Sequence, residues 1–208
     1  MITLCWGAKG GSGVTTVAAA LALAQRRPTL LVDLAGDAAL ALGIADDGAP
    51  MLDDWFATES PPDRVVRLAR RVTTHLEVVP TRRPVPTDST RWSPLTAAMR
   101  SHAGDVVIDA GSGGPPPLLH ATVDRSLLVI RPCYLALMRA QRLGVRPHGI
   151  VLVDEPGRAL GPDDVAAAIG APVVATMLTD PKIARAIDSG LSVSRLPATC
   201  WRELRAAS

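Results

Sequence analysis

The sequence predicts an α/β fold of three layers, a mainly parallel twisted sheet with helices on both faces, and three observations carry that expectation. Apolar runs of strand length recur along the chain. They are continuously apolar rather than alternating, as strands covered on both faces are. Segments of helical period separate them, and strand, helix, strand repeated in this way closes into parallel pairs joined by right-handed crossovers. The bulk properties agree: 208 residues, 48% hydrophobic and 20% charged, suit one large globular domain over residues 1–208 with a substantial core.

Taken in order, strands are expected at 2–6 (ITLCW), 29–32 (TLLV), 76–79 (LEVV), 105–109 (DVVID), 126–130 (SLLVI), 149–153 (GIVLV) and 172–176 (PVVAT). Between them, helices are expected at 15–25, 62–71, 94–102, 136–143, 163–169 and 181–189. Several of these open on Thr, Pro or Asp, residues suited to a helix start. Asp53 and Asp54, before Trp55, read as caps of a short helix rather than a catalytic carboxylate pair. No internal repeat or long linker interrupts the pattern. The proline-rich stretches TRRPVPT at 81–87 and SGGPPP at 112–117 are short enough to be functional loops.

The first strand runs into WGAKGGSGVTT, residues 6–16, and then into the first helix. In that context a glycine loop reads as a phosphate site rather than an ordinary glycine-rich strand-to-helix turn. Gly10, Gly11 and Gly13 let the backbone turn tightly and, with Ser12 and Val14, aim N–H groups at an anion, while the start of the helix adds its positive dipole end. Thr15 or Thr16 offers the hydroxyl that holds Mg²⁺. Only Lys9 and Lys182 are lysines among 22 basic residues, so a lysine inside this loop stands out against the composition.

The loop resembles K-G-G-x-G-K-T-T of the deviant Walker A ATPases in the MinD/ParA superfamily, and the resemblance implies a P-loop NTPase fold that binds ATP and Mg²⁺. It implies for Lys9 the role of the signature lysine, reaching across a nucleotide-sandwich dimer to the partner's phosphates. LLVDLAGD at 30–37 is similar to the second-strand VDxD motif, with Asp33 as its first aspartate. DVVIDAGSG at 105–113 resembles the Walker B strand and switch loop, which gives Asp109 a place beside Mg²⁺ with Thr15. VLVDE at 151–155 resembles the strand ending V-N-R near the adenine, with Asp154 where Asn is common, and residues 171–193 resemble the superfamily's terminal pattern.

Two departures set the expected activity. Val14 stands where the second lysine would neutralise charge between β- and γ-phosphates, and Ala35 stands where the second VDxD aspartate would orient the attacking water, with Asp37 two residues on as a substitute. Losing both groups costs orders of magnitude in rate and less in binding, so slow hydrolysis at most is expected. Loss of the second lysine resembles the CpaE/TadZ branch, as does GDAALALGI at 36–44; septum-site-like relatives share the altered loop. The resemblance implies a nucleotide-linked homodimer that positions a membrane-associated machine. No receiver-like domain is expected ahead of the loop strand.

Other function classes fit less well. A net charge of +2 announces neither a nucleic-acid binder nor a membrane-surface protein. Arg64, Arg67 and Arg71 fall on one face of the helix expected at 62–71, where a solvated face is favoured over DNA contact because Val65, Leu68, Ala69 and Val72 supply a matching buried face. Cys5, Cys133 and Cys200 have no metal-ligand spacing, and His75, His102, His120 and His148 are scattered and read as structural. The tail PATCWRELRAAS reads as a surface-docked helix rather than a membrane anchor. No signal peptide or membrane span is visible, so a cytoplasmic protein is expected, with recruitment to a membrane or pole left to partners.

Overall fold

Successive residues of each central strand are committed to opposite cores. Leu4 and Trp6 enter one cluster while Cys5, between them, enters the other; Leu30 and Val32 face the first, Leu31 the second. This period of two explains why the strands are apolar throughout: each has two buried faces and none in water. The computed structural model describes residues 1–197 and Leu204.

The strands are β1 (Ile2–Gly7), β2 (Thr29–Asp33), β3 (Arg70–Arg71), β4 (Leu76–Val79), β5 (Asp105–Ser112), β6 (Arg125–Ile130), β7 (Gly149–Asp154) and β8 (Val173–Leu178). They form one sheet in the order β3-β4-β2-β5-β1-β6-β7-β8, parallel except for the β3–β4 pair. Helices α1 (Val14–Ala24), α2 (Ala38–Ala41) and α8 (Pro181–Asp188) bury Val17, Ala38 and Ile183 in one cluster. Helices α3 (Leu52–Phe56), α4 (Trp92–Arg100), α5 (Pro117–Thr122), α6 (Tyr134–Leu143) and α7 (Pro162–Ile169) bury Leu52, Leu95, Leu119, Leu137 and Val165 in the other. The expected three layers are therefore present. A further helix, α9 (Ser192–Arg195), is pinned by the Ser192 hydroxyl donating to the Ala41 carbonyl at 2.6 Å.

All seven expected strands form, each within two residues at either end except β5, which runs three residues further. The helix expected at 62–71 does not. Its residues make two short 3₁₀ turns, Pro62–Arg64 and Val66–Leu68, and then β3. The reason is topological: Val65, Leu68 and Ala69 pack on one core and Val72 on the other, so the chain must pass around the sheet edge here and cannot stay on one side as a helix. Arg64 and Arg67 are exposed on the turns and Arg71 on the edge strand, so the shared helical face of three arginines does not exist. A two-residue edge strand carrying arginine also protects the sheet from edge pairing. Helix α3 begins at Leu52, which places Asp53 and Asp54 inside its first turn, where Asp54 accepts from Met51 N–H at 2.9 Å. The tail expected as a docked helix lies outside the described residues apart from Pro197 and Leu204, and Leu204 is buried in the α1 core.

Gly104 turns the chain into β5 against the backbone of Pro28. A Cβ there would sit 1.9 Å from the Pro28 carbonyl oxygen, the same oxygen that accepts from Asp105 N–H at 2.9 Å. Gly104→Ala is expected to lower unfolding free energy by about 3 kcal/mol, since backbone on both sides must move. Urea unfolding of the two proteins checks this.

Candidate functional site

The loop between β1 and α1 has the geometry an anion needs. Gly11 and Gly13 take φ of 75° and 90°, left-handed values that glycine alone adopts without strain. The Ser12 hydroxyl, itself buried, donates to the Lys9 carbonyl at 2.7 Å and closes the loop on itself. Gly13 is the N-cap of α1 and, among the described residues, no side chain caps that end, so the first N–H groups of an 11-residue helix face the loop. Lys9 projects from the rim, with its ammonium 3.3 Å from the Gly10 carbonyl and a solvent-exposed bond there.

Val14 is not a passive gap. It is 6% exposed and packs in the α1 core, and its Cγ2 lies 2.8 Å from where a Gly7 side chain would begin. The isopropyl group therefore occupies the end of β1, which Gly7 leaves open for it.

Two carboxylates meet beneath the loop because β2 and β5 pair in register, Asp33 beside Asp109. Both are fully buried. Asp33 is consumed by the backbone: Oδ1 accepts from Ala35 and Gly36 N–H at 3.0 and 2.8 Å, Oδ2 from Ala38 and Ala39 N–H at 2.9 and 3.2 Å. It shapes the β2–α2 turn and has no lone pair left for a substrate. Burial raises its pKa, and those four N–H groups pull it back.

Asp109 differs. Its Oδ1 accepts from Gly111 N–H at 3.0 Å, but Oδ2 is buried with no hydrogen-bond partner among the described residues. Burial, and then the Asp33 charge beside it, push its pKa up to about 7, against the pull of the neighbouring Thr15 side chain and Gly111 N–H. A buried carboxylate oxygen without a donor, next to a threonine hydroxyl under a phosphate loop, is the donor set a hard divalent cation completes. The residues present fit Mg²⁺.

Ala35 packs against Gly111, its Cβ 2.8 Å from where a Gly111 side chain would begin. Asp37 is exposed at the N-cap of α2 without capping it, and lines the cavity opposite the loop.

Two cavities flank the loop, one on each side of Gly13. The first, about 500 Å³, runs from Lys9 and Thr15 past Gly111 and Pro116 to Asp37, Val85 and Trp92. The second, about 340 Å³, holds Thr16, Arg131, Val153, Glu155, Met177 and Asp180. They lie at the carboxyl ends of the strands, astride β1, where the connections diverge: β1 leads to β2 on one side, and β5 leads past β1 to β6 on the other. That is the topological switch point where open α/β sheets bind ligands.

Asp154, expected near the base, ends β7 with its carbonyl accepting from Thr179 N–H at 2.9 Å, and the next residue, Glu155, lines the second cavity. Glu155 is held by Arg131 and Arg158, and both guanidiniums lower its pKa, Arg158 most. Arg131 and Glu155 were missed, as was the wall formed by Val85, Thr87 and Trp92. A usable signal existed, since Arg131 and Glu155 each directly follow a strand. The loop after β5 is latched to β1: Gly113 and Gly114 N–H both donate to the Gly7 carbonyl, at 2.9 and 3.3 Å. Pro117 then starts α5.

No protein-family model matches the chain, and no curated protein matches it in sequence. Solved structures do match in fold. The septum site-determining protein MinD complexed with Mg-ADP from Pyrococcus horikoshii is 20% identical, covering 99% of this chain and 93% of that one with a TM-score of 0.73. MinD in a MinC:MinD cell division complex from Aquifex aeolicus is 14% identical over 99% and 93%, with a TM-score of 0.74. A ParA family ATPase from Chlorobium tepidum is 17% identical over 99% and 98%, with a TM-score of 0.72. The chain thus has the three-layer P-loop NTPase fold of those proteins, and at these identities the likeness is one of fold.

Proposed function

We propose that the chain is a nucleotide-dependent positioning protein of the MinD/ParA type: a cytoplasmic protein that binds ATP with Mg²⁺, dimerises through the bound nucleotide and places a membrane-associated machine. The observation that carries this reading is the partnerless Asp109 Oδ2 beside Thr15, under a phosphate loop flanked by two cavities. The fold likeness to a MinD complexed with Mg-ADP supports it. Backbone N–H groups from Gly10 to Val14 hold the phosphates, Thr15 and Asp109 hold Mg²⁺, and Thr16 with the second cavity takes the nucleoside. Mg²⁺ supplies charge neutralisation of the phosphate oxygens. Lys9 reaches the phosphates of a second copy. Among the described residues its one hydrogen bond is an exposed contact with the Gly10 carbonyl of its own loop, which leaves the ammonium at the rim.

Turnover is slow on this reading. Val14 brings no charge to the phosphates, Asp33 has no free oxygen, and Asp37 is the carboxylate left facing the cavity to orient water. Asp37→Ala is expected to cut hydrolysis about tenfold without weakening ATP binding, as single-turnover assays and equilibrium dialysis would show. The altered loop resembles that of the Tad/Flp pilus and septum-site branch, which makes such a machine the cargo. Among the described residues no helix is long and apolar enough to cross a membrane; recruitment by partner proteins is part of the reading, and one fold neighbour was solved in a MinC:MinD cell division protein complex.

Equilibrium dialysis with Mg-ATP tests the reading: absence of binding at millimolar nucleotide sinks it. A second reading, a scaffold that works through protein contacts alone, is favoured by the burial of Val14 as a core residue. The two separate on Lys9→Ala, which abolishes ATP-dependent dimerisation under the first and changes little under the second. A DNA-partitioning role loses support with the arginine face that does not form.

A further inference from the structure

All four histidines stand where strands begin, at the end of the sheet away from the phosphate loop: His75 precedes β4, His102 precedes β5, His148 precedes β7, and His120 lies on α5, which leads into β6. Two of them meet. The His120 and His148 rings lie parallel, 6° apart in plane, with centroids 6.4 Å apart. His148 is fixed by the strand beside it: its backbone N–H donates to the Ser126 carbonyl at 2.8 Å, and its Nδ1 accepts from Ser126 N–H at 2.9 Å. A ring nitrogen that accepts carries no proton, so the proton of His148 sits on Nε2 and the ring is neutral. The imidazolium, a donor at both nitrogens, cannot make that bond. His120 Nε2 is buried without a partner among the described residues, which makes a charge on that ring costly.

The surroundings offer a positive charge no compensation. Helix α5 carries no charged residue, and α4, packed on it, carries only Arg100. Arg100 is taken up by Asp124 at 2.8 Å and by the Thr122 carbonyl, and the other oxygen of Asp124 accepts from Ile2 N–H at 2.7 Å. The remaining neighbours are cationic: Arg125 opens β6, and Arg146, ahead of β7, donates to the Gly170 carbonyl at 3.3 Å. Burial, and then His148, hold the His120 pKa below its ordinary value, against the pull of the Arg146 carbonyl. A histidine depressed in this way stabilises the fold above the ordinary value of about 6.5, and that contribution is lost as pH falls below it. The element it stabilises is α5. Leu119 is the one buried residue of this six-residue helix, whose first residue directly follows Pro116 in the wall of the first cavity.

We propose that His120 and His148 form an acid-sensitive latch that holds α5 on the starts of β6 and β7 while both rings are neutral. Protonation of His148 breaks the Ser126 bond, and protonation of His120 buries an uncompensated charge. Either event loosens α5 and, through chain continuity, the loop at 111–116. The latch does not depend on the nucleotide reading, since it lies at the opposite end of the sheet and acts on the free chain.

Hydrogen exchange of the full chain, read by mass spectrometry without nucleotide and corrected for the intrinsic rate, tests it. From about pH 7.5 to about pH 5.5, protection of the α5 amides is expected to fall about tenfold while that of α1 stays constant. His120→Phe keeps a stacked ring and His148→Asn keeps an acceptor for Ser126 N–H, and neither replacement titrates. In both variants the pH response of α5 is expected to shrink below about twofold. Asp109 titrates in the same range, and the two variants separate its contribution from that of the latch. Constant α5 protection in the wild type overturns the proposal, as does a full response kept in both variants or a loss shared equally by α1. Nitrogen-15 NMR of the wild-type imidazoles at about pH 7.5 gives a second reading: a proton on Nε2 of His148 supports the latch, and one on Nδ1 overturns it.

Discussion

Replacing Val14 by lysine is expected to raise single-turnover ATP hydrolysis by about 100-fold, the effect of one preorganised charge at a developing negative charge in a site sheltered from water. Val14 lines the first cavity while packing over Gly7, so a lysine there starts from the same Cβ and can carry its ammonium into about 500 Å³ of open space. The change removes a buried isopropyl group and is expected to cost about 1 kcal/mol of stability. Binding should improve less than turnover, because backbone N–H groups already hold the phosphates. A Val14→Lys protein that binds Mg-ATP yet turns over at the wild-type rate would show that the absence of a carboxylate at Ala35, and not of the lysine, limits the reaction.

Asp109→Asn is expected to act in opposite directions on stability and on metal response. In metal-free buffer it should stabilise the fold by about 1–2 kcal/mol, since it removes a buried charge whose Oδ2 has no donor and whose neighbour in the sheet is Asp33. With Mg-ATP present it should abolish the gain in affinity that Mg²⁺ gives, because the amide brings no negative charge to the cation. Urea unfolding in EDTA reads the first effect and nucleotide titration with and without Mg²⁺ the second. Lower stability in EDTA would mean that the carboxylate is satisfied in the free protein and that the cation site has been misread.

Much of this could be seen in the sequence because its signals are local. A strand buried on both faces must be apolar at every position, so the seven long strands were visible one by one, and Lys9, Gly11, Gly13, Thr15 and Asp109 sit in motifs a few residues long. What was hidden depends on where the chain turns in space. Residues 62–71 have helical spacing, but their apolar groups are divided between two cores, a division that only the sheet edge imposes. Asp33 shows the same limit: its motif suggests catalysis, and only the folded turn shows four N–H groups taking its oxygens. Arg131 and Glu155 belong to no contiguous motif; they meet because β6 and β7 are neighbours.

The Gly7 carbonyl links parts of the site that lie far apart in sequence. Gly7 ends the strand that launches the phosphate loop, lies under the Val14 side chain and accepts from both Gly113 and Gly114. One oxygen is thus the hinge pin for two loops, and neither can be displaced without loading the other. The carbonyl that closes β1 therefore ties the start of the phosphate loop to the backbone at residues 113 and 114, beside the pairing of Gly7 with Ser112.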